Sequence, residues 1–142
     1  MKTVLRLLVV AGLAVLGIMC IKAVKRSRRN RATSLDTDTV TKTPWCKISG
    51  TTFEGRQRLL EQLYPKDQLR LARMPVSGHP EGVAVFNTKN EQLGFISIDR
   101  GMAEVVSRLL DSGVPVAVCD WERVGGETNK PRLGLRIKLA VI

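Results

Sequence analysis

Histidine and cysteine, which often bind metals or act in catalysis, are scarce in this chain of 142 residues. It has one histidine, His79, and three cysteines, Cys20, Cys46 and Cys119, which stand alone without a CxxC or Cys/His spacing. Isolated thiols of this kind predict neither a disulfide framework nor a zinc site, and they suit a reducing compartment.

Motifs of the common enzyme classes are missing as well. The sequence contains no glycine-rich phosphate loop, no HExxH, no GxSxG and no carboxylate pair spaced to share a helix face near a base. Asp120 and Glu122 alternate on a predicted strand, but an exposed acidic pair is common. We therefore expect a protein that is not an enzyme and that uses no cofactor and no metal.

Charge is absent from residues 7–21, and a basic collar follows, residues 22–31, in which six of ten residues are Lys or Arg. A bilayer core of about 30 Å takes about 20 helical residues to cross. Residues 4–24 are 21 residues, enough to cross the bilayer core if Arg6 and Lys22 extend their charged ends toward the two interfaces. The sequence therefore predicts a transmembrane helix within residues 1–24 that contacts the membrane through residues 4–24.

The basic collar predicts the orientation of this helix. It outweighs the positive charge before the uncharged run, so the domain that follows should face the cytoplasm in a single-pass membrane protein. The collar should also attract anionic lipid. A cleaved signal peptide is the rival interpretation, but the sequence lacks a small-x-small cleavage site. A buried core helix fits less well, since no polar residue marks an exposed face.

The net charge of +10 is unevenly distributed. Residues 1–50 carry ten Lys or Arg and two Asp or Glu, a net charge of +8. Residues 51–142 carry thirteen Lys or Arg and eleven Asp or Glu, a net charge of +2. The excess therefore belongs mostly to the collar, and the total is weak evidence for nucleic-acid binding by the domain. Residues 32–44 contain five Thr and one Ser and show no period that could bury a face. Residues 25–44 are accordingly predicted to be a basic, Thr-rich, flexible cytoplasmic tether.

The remaining segment, residues 45–142, is predicted to be one domain. Period-two patterns and short apolar runs predict strands at 45–49, 68–73, 83–87, 93–97, 116–124 and 133–141. Helical spacing predicts one helix over 56–64 and a second from Asp99, a plausible N-cap, to Leu110. Gly125-Gly126 and Lys130-Pro131 should join the last two strands.

The order β-α-β-β-β-α-β-β predicts an α+β fold that is mainly β. We expect a small OB-like or SH3-like barrel of about six strands with two helices packed outside it.

Four short motifs in succession resemble the HIRAN domain family. They are Gly-Thr-Thr-Phe-Glu-Gly-Arg-Gln at 50–57, Leu-Arg-Leu-Ala-Arg-Met-Pro at 69–75, His-Pro-Glu-Gly-Val-Ala-Val at 79–85 and Leu-Gly-Phe-Ile at 93–96. Gly125-Gly126 and Pro131-Arg132-Leu133-Gly134 extend the match to the end of the chain. The resemblance implies an OB-like barrel that captures the unpaired 3′ end of DNA.

The ligand chemistry implied by this resemblance is a pocket for a DNA end. An acidic side chain accepts a hydrogen bond from the 3′-hydroxyl, aromatic rings stack on the terminal bases, and basic groups hold the phosphates. Arg56 matches the family's loop arginine, and Phe95 follows the glycine of Leu-Gly-Phe, at a position that is often aromatic or histidine. With Arg73, His79 and Arg100 they form the predicted nucleic-acid-binding set, for single-stranded or frayed DNA.

Three positions depart from the family pattern. Gly78 and His79 stand where an aromatic residue and the hydroxyl-binding acid are expected, and Ile98 stands where a basic residue is expected. A neutral imidazole accepts one hydrogen bond but has no negative charge to distinguish a hydroxyl from a phosphate. The alternative function is therefore a membrane-tethered protein-interaction adaptor that has lost the 3′-end pocket, and the near-balanced charge of residues 51–142 favours it.

Each candidate also has an ordinary structural interpretation. A lone loop histidine such as His79 is usually a solvated or capping residue. Arg73 can be an exposed strand residue, and Phe95 on a hairpin strand can belong to the core. Trp45 and Trp121 are expected to pack, since the chain has few aromatic residues.

Overall fold

The structure, a computed structural model, describes residues 25–26, 28–53 and 55–142. The chain divides into two units, Met1–Ser34 and Leu35–Ile142. In the first unit the described residues, 25–26 and 28–34, are helical. The predicted membrane-spanning stretch, residues 4–24, lies outside the described residues. Of the helices that the structure does describe, none has the length and apolar character needed to cross a bilayer.

The second unit is mainly β. Its elements in chain order are α1 (residues 35–42), β1 (Trp45–Ser49), α2 (Arg56–Glu61), β2 (Arg70–Arg73), β3 (Val83–Phe86), β4 (Gln92–Ile96), a 3₁₀ turn (Asp99–Gly101), α3 (Met102–Asp111), β5 (Val116–Glu127) and β6 (Lys130–Val141). The predicted six strands and two helices are confirmed in their order. Helix α1 and the 3₁₀ turn are additional.

All six strands belong to one antiparallel sheet with the order β2-β3-β4-β1-β6-β5. The sheet curls into a half-barrel, so that its two edge strands, β2 and β5, approach each other. Trp121 of β5 lies at this closure, where its indole Nε1 donates a 3.0 Å hydrogen bond to the backbone oxygen of Asp67. The expectation of a small, mainly β, barrel-like fold is confirmed at this level.

The strand alternation separates a core face from an outer face. Cys46 and Ile48 of β1 are buried together with every second residue of β6 from Leu135 to Leu139. Their neighbours Trp45, Lys47 and Arg136 lie on the other face, and Lys47 pairs with Arg136 in the register. Burying one large aliphatic side chain stabilises a fold by about 1.5–3 kcal/mol, so this shared core accounts for much of the stability.

Helix α1 buries two side chains, Val40 and Asp36. The expectation that residues 32–44 bury no face is therefore wrong. The reason is that one of the two buried residues is a carboxylate, paired with Arg108 of α3 at 2.7 Å, and an aspartate in the sequence predicts exposure. The domain limits at residues 24 and 44 stay predictions.

The start of α3 also differs from the prediction. Its N-cap is Gly101, at φ 69°, and no side chain caps it. Asp99 opens the 3₁₀ turn instead, and Arg100 has a left-handed φ of 65°. The predicted N-cap at Asp99 is wrong because two consecutive left-handed residues separate it from the helix.

The β5–β6 hairpin is longer than predicted. Its turn is residues 128–129, and Gly125 and Gly126 lie within β5 rather than in the connection. Both have positive φ, and the strand register shifts beside them. A Cβ on Gly125 would come within 2.3 Å of the Arg132 carbonyl oxygen, so this bulge requires glycine.

Candidate nucleic-acid interface

The five residues predicted to bind nucleic acid lie in three places. Arg56 and Phe95 lie together near the end of β1. Arg73 binds the loop of residues 74–82, and His79 is part of that loop. Arg100 lies in the 3₁₀ turn.

Arg56 packs against two aromatic rings. Its guanidinium carbon Cζ is 5.3 Å from the ring centre of Phe53 and 6.0 Å from that of Phe95, and its Nη1 donates a 2.7 Å hydrogen bond to the Gly50 carbonyl oxygen. Burial lowers the pKa of the Arg56 guanidinium, which nevertheless stays protonated at neutral pH. Phe53 is 66% exposed, so this Phe53–Arg56–Phe95 cluster presents aromatic surface to solvent.

The chain turns sharply to build this cluster. Gly50, which follows β1, has φ 74°, and a Cβ there would lie 2.8 Å from Arg56 Nη1. Glycine therefore provides both the left-handed turn and the space for the guanidinium. Phe95 is placed by its pairing with Ser49 at the end of β1.

Arg73 holds the 74–82 loop. Its guanidinium donates to the carbonyl oxygens of Gly82 at 2.7 Å and Pro80 at 2.9 Å, and it forms an ion pair with Asp111 at 2.9 Å. The hydrogen bond from Arg73 lowers the pKa of the Asp111 carboxyl. These partners give Arg73 a structural role.

His79 has an acidic neighbour. Its Nδ1 is 3.4 Å from Oε1 of Glu81, and the imidazole is about half exposed. A carboxylate at this distance repels a phosphate, so the surroundings of His79 do not resemble an anion site. The structure thus brings together Arg56 and Phe95 but leaves His79 and Arg73 with partners of their own.

Two adjoining cavities lie beside β1 and the outer part of the β5–β6 hairpin. Their volumes are about 590 Å³ and about 440 Å³. They share seven lining residues, namely Lys47, Ile48, Thr51, Ser97, Asp99, Val124 and Gly134. Because the walls are shared, the two cavities form one continuous groove, the β1 groove.

The β1 groove is basic. Its described lining includes one acid, Asp99, and five cations, Lys47, Arg100, Lys130, Arg132 and Arg136. Arg136 is paired with Glu122 at 2.7 Å. The other four side chains are exposed and make no hydrogen bond or ion pair with the residues that the structure describes. Four cations without ion-pair partners, against the one carboxylate of Asp99, attract phosphate groups.

Arg100 reaches the groove from a strained backbone. Its φ of 65° and ψ of 12° are left-handed, a conformation that costs a residue with a Cβ about 1–2 kcal/mol. Strained backbone conformations are often found at functional sites. Glycine would adopt the same conformation freely, so the fold retains an arginine here at a cost in stability.

One aromatic side chain, Trp45, lines the groove. It is partly buried, and the Cζ atom of Arg136 is 5.4 Å from its ring centre. Within the described ranges, no cluster of three or more His, Cys, Asp or Glu residues could hold a metal ion. The arrangement therefore offers electrostatic and stacking contacts.

Most of the groove was not found by sequence reasoning, which selected only Arg100 among its cations. A signal exists in β6, where alternate positions carry Lys130, Arg132, Arg136 and Lys138, with Gly134 between them. Alternate residues of a strand share one face, so this pattern predicts a basic surface. Comparisons of the chain with protein-family models, curated proteins and solved structures found no match.

Proposed function

We propose that this protein is a membrane-anchored nucleic-acid-binding module that takes single-stranded or frayed DNA into the β1 groove. The strongest support is the set of four cations without partners among the described residues, Lys47, Arg100, Lys130 and Arg132. Each can neutralise a phosphate and release a condensed counterion. Such binding depends little on sequence and weakens steeply as salt rises.

The HIRAN resemblance supports the same class of ligand. A curled antiparallel sheet of six strands is compatible with the OB-like barrel that the resemblance implies. In this proposal the Phe53–Arg56–Phe95 cluster contacts bases and Arg100 contacts a phosphate. Arg73 and His79 are assigned to the structure of the 74–82 loop, because both already have partners there.

Attachment to the membrane is part of the proposal and rests on the uncharged residues 7–21 and the basic collar. The domain is proposed to face the cytoplasm, with the collar near anionic lipid. Alkaline extraction should leave the protein in the membrane pellet, and protease should cleave the domain only after the cells are opened. Recovery of a mature chain without residues 1–24, or cleavage on intact cells, would contradict this arrangement.

The binding itself is tested with the full-length protein in detergent and a fluorescent 12-nucleotide strand that ends in a 3′-hydroxyl or a 3′-phosphate. At physiological salt we expect a Kd of about 1–100 μM for both ends, the usual range of non-specific binding, and tighter binding at low salt. The comparison variant is Arg100→Gln together with Lys130→Gln. It keeps the basic collar but lacks two groove cations, so it should bind more weakly than the unaltered protein. Negligible signals for both strands with the unaltered protein would refute DNA binding.

A second candidate is the adaptor, in which the barrel contacts a protein partner near the membrane. It is favoured by the near-balanced charge of residues 51–142, which carry thirteen Lys or Arg and eleven Asp or Glu. A pull-down with residues 35–142, which contain the described core, compared with Arg56→Ala and Arg100→Ala separates the two functions. Retention of one specific partner without DNA binding favours the adaptor.

A further inference from the structure

Trp45 occupies the open side of β1. This strand pairs with β6 along residues 45–48 but with β4 only at Ile48 and Ser49. Among the described residues no strand therefore covers the other edge of β1 at Trp45, which lines the larger cavity of the β1 groove. The tryptophan is thus fixed by its strand on one side and borders open space on the other.

The Trp45 ring already accepts a flat, charged group. Arg136 lies on β6 opposite Lys47, two residues along the strand from Lys138, the register partner of Trp45, and its guanidinium carbon is 5.4 Å from the ring centre. On the neighbouring strand Glu122 pairs with the same guanidinium at 2.7 Å, but both partners are 46% exposed. An ion pair this exposed contributes little, so Arg136 is easily displaced from the ring.

We infer that a nucleobase stacks on Trp45 in place of the Arg136 guanidinium, which then turns to a phosphate of the same strand. Every base has a flat π face, so this contact tolerates any sequence. In a duplex both faces of a base are covered by its neighbours, and stacking on Trp45 is blocked. Trp45 therefore makes the groove select unpaired nucleic acid, an inference that rests on the proposed function.

The test compares Trp45→Leu with Trp45→Phe in the full-length protein. Loss of one base–aromatic stack should weaken binding of a twelve-residue oligothymidylate by about five- to a hundredfold in Trp45→Leu. Phenylalanine keeps an aromatic face and should retain most of the affinity. The affinity for a 12-base-pair duplex, and the dependence of binding on salt, should not change in either variant, because no cation is lost.

Fluorescence provides a second measurement that does not depend on the stability of Trp45→Leu. The chain has two tryptophans, so Trp121→Phe leaves Trp45 as the only tryptophan, whose emission can be excited selectively near the red edge of the absorption band. Stacked thymine should quench this emission as the oligonucleotide is added. The inference is overturned if Trp45→Leu binds the single strand as tightly as the unaltered protein, or if Trp45 emission stays constant on binding. If the unaltered protein binds neither strand nor duplex, the proposed function fails as well, so the two failures are distinguishable.

Discussion

Asp36 and Arg108 form a two-pronged ion pair between residues 72 positions apart in the chain, with distances of 2.7 Å from Nη2 to Oδ1 and 2.9 Å from Nε to Oδ2. The hydrogen bond to Asp36 raises the pKa of the Arg108 guanidinium. Asp36 is almost fully buried, and Glu104 binds the same guanidinium from the surface. The pair fixes α1 against α3 and thereby positions Thr39, which lines the β1 groove.

Asp36→Asn is expected to destabilise the second unit. An amide cannot replace both charge-assisted hydrogen bonds, and we expect a loss of about 1–2 kcal/mol in the free energy of unfolding, after allowance for the exposure of Arg108. The matched control is Asp38→Asn, since Asp38 is exposed on the same helix and should change stability by less than about 0.5 kcal/mol. Urea unfolding measures both. Equal midpoints for the two variants would show that the buried pair contributes nothing.

Arg100→Gly should raise stability and lower DNA affinity at the same time. Glycine removes the left-handed strain, which predicts a gain of about 1 kcal/mol, whereas Arg100→Ala keeps the strain. Both variants lose the same cation and should weaken single-strand binding equally. Urea unfolding measures the stability of each variant, and oligonucleotide titration measures its affinity for single-stranded DNA. A glycine variant less stable than the alanine variant would contradict the assignment of strain.

The Arg73–Asp111 pair should stabilise the fold at neutral pH and not in acid. The hydrogen bond from Arg73 lowers the pKa of Asp111 in the folded state, so its contribution is complete above the ordinary carboxyl pKa of about 3.9 and is lost as the pH falls. Asp111→Asn should therefore have a lower urea midpoint than the unaltered protein at pH 7, and the two midpoints should converge as the pH falls through the lowered pKa of Asp111. A difference that persists undiminished in acid would be inconsistent with this ion pair.

The two cysteines of the second unit should differ in reactivity. Burial raises the pKa of the Cys46 thiol to about 12, whereas Cys119 is exposed. At pH 8 a thiol with that pKa is ionised only on the order of one part in ten thousand, and the thiolate is the reactive form. Iodoacetamide should alkylate Cys119 in the native protein and reach Cys46 only in urea, as measured by peptide mass spectrometry. Equal labelling of both in the native protein would contradict the burial of Cys46.

Local patterns in the sequence predict most of the strands and both main helices. The alternation in β6 and the helical stripe of α3 each depend on residues close together in the chain, which is why they are readable. The bulge at Gly125 was missed because a glycine pair predicts a turn as readily as an irregular strand.

Long-range pairing explains what the sequence did not reveal. In the sequence, Asp36 has the pattern of an exposed residue in a Thr-rich segment, and its partner Arg108 is 72 positions away. The groove is hidden for the same reason, since Lys47, Arg100 and Lys130 come from three separate parts of the chain. The charge of Arg73 predicts a ligand-binding residue, but its partners Pro80, Gly82 and Asp111 are visible only in the fold.

The most direct test of the β1 groove compares two double variants of equal charge. Lys47→Gln with Lys130→Gln removes two groove cations, and Lys66→Gln with Lys89→Gln removes two exposed lysines that line neither cavity of the groove. Affinity for single-stranded DNA is measured across a series of salt concentrations. The groove variant should bind more weakly, and its logarithmic salt slope should fall by about 0.7 for each lysine removed, while the control keeps the unaltered slope. Equal changes in both variants would contradict a binding site in the groove.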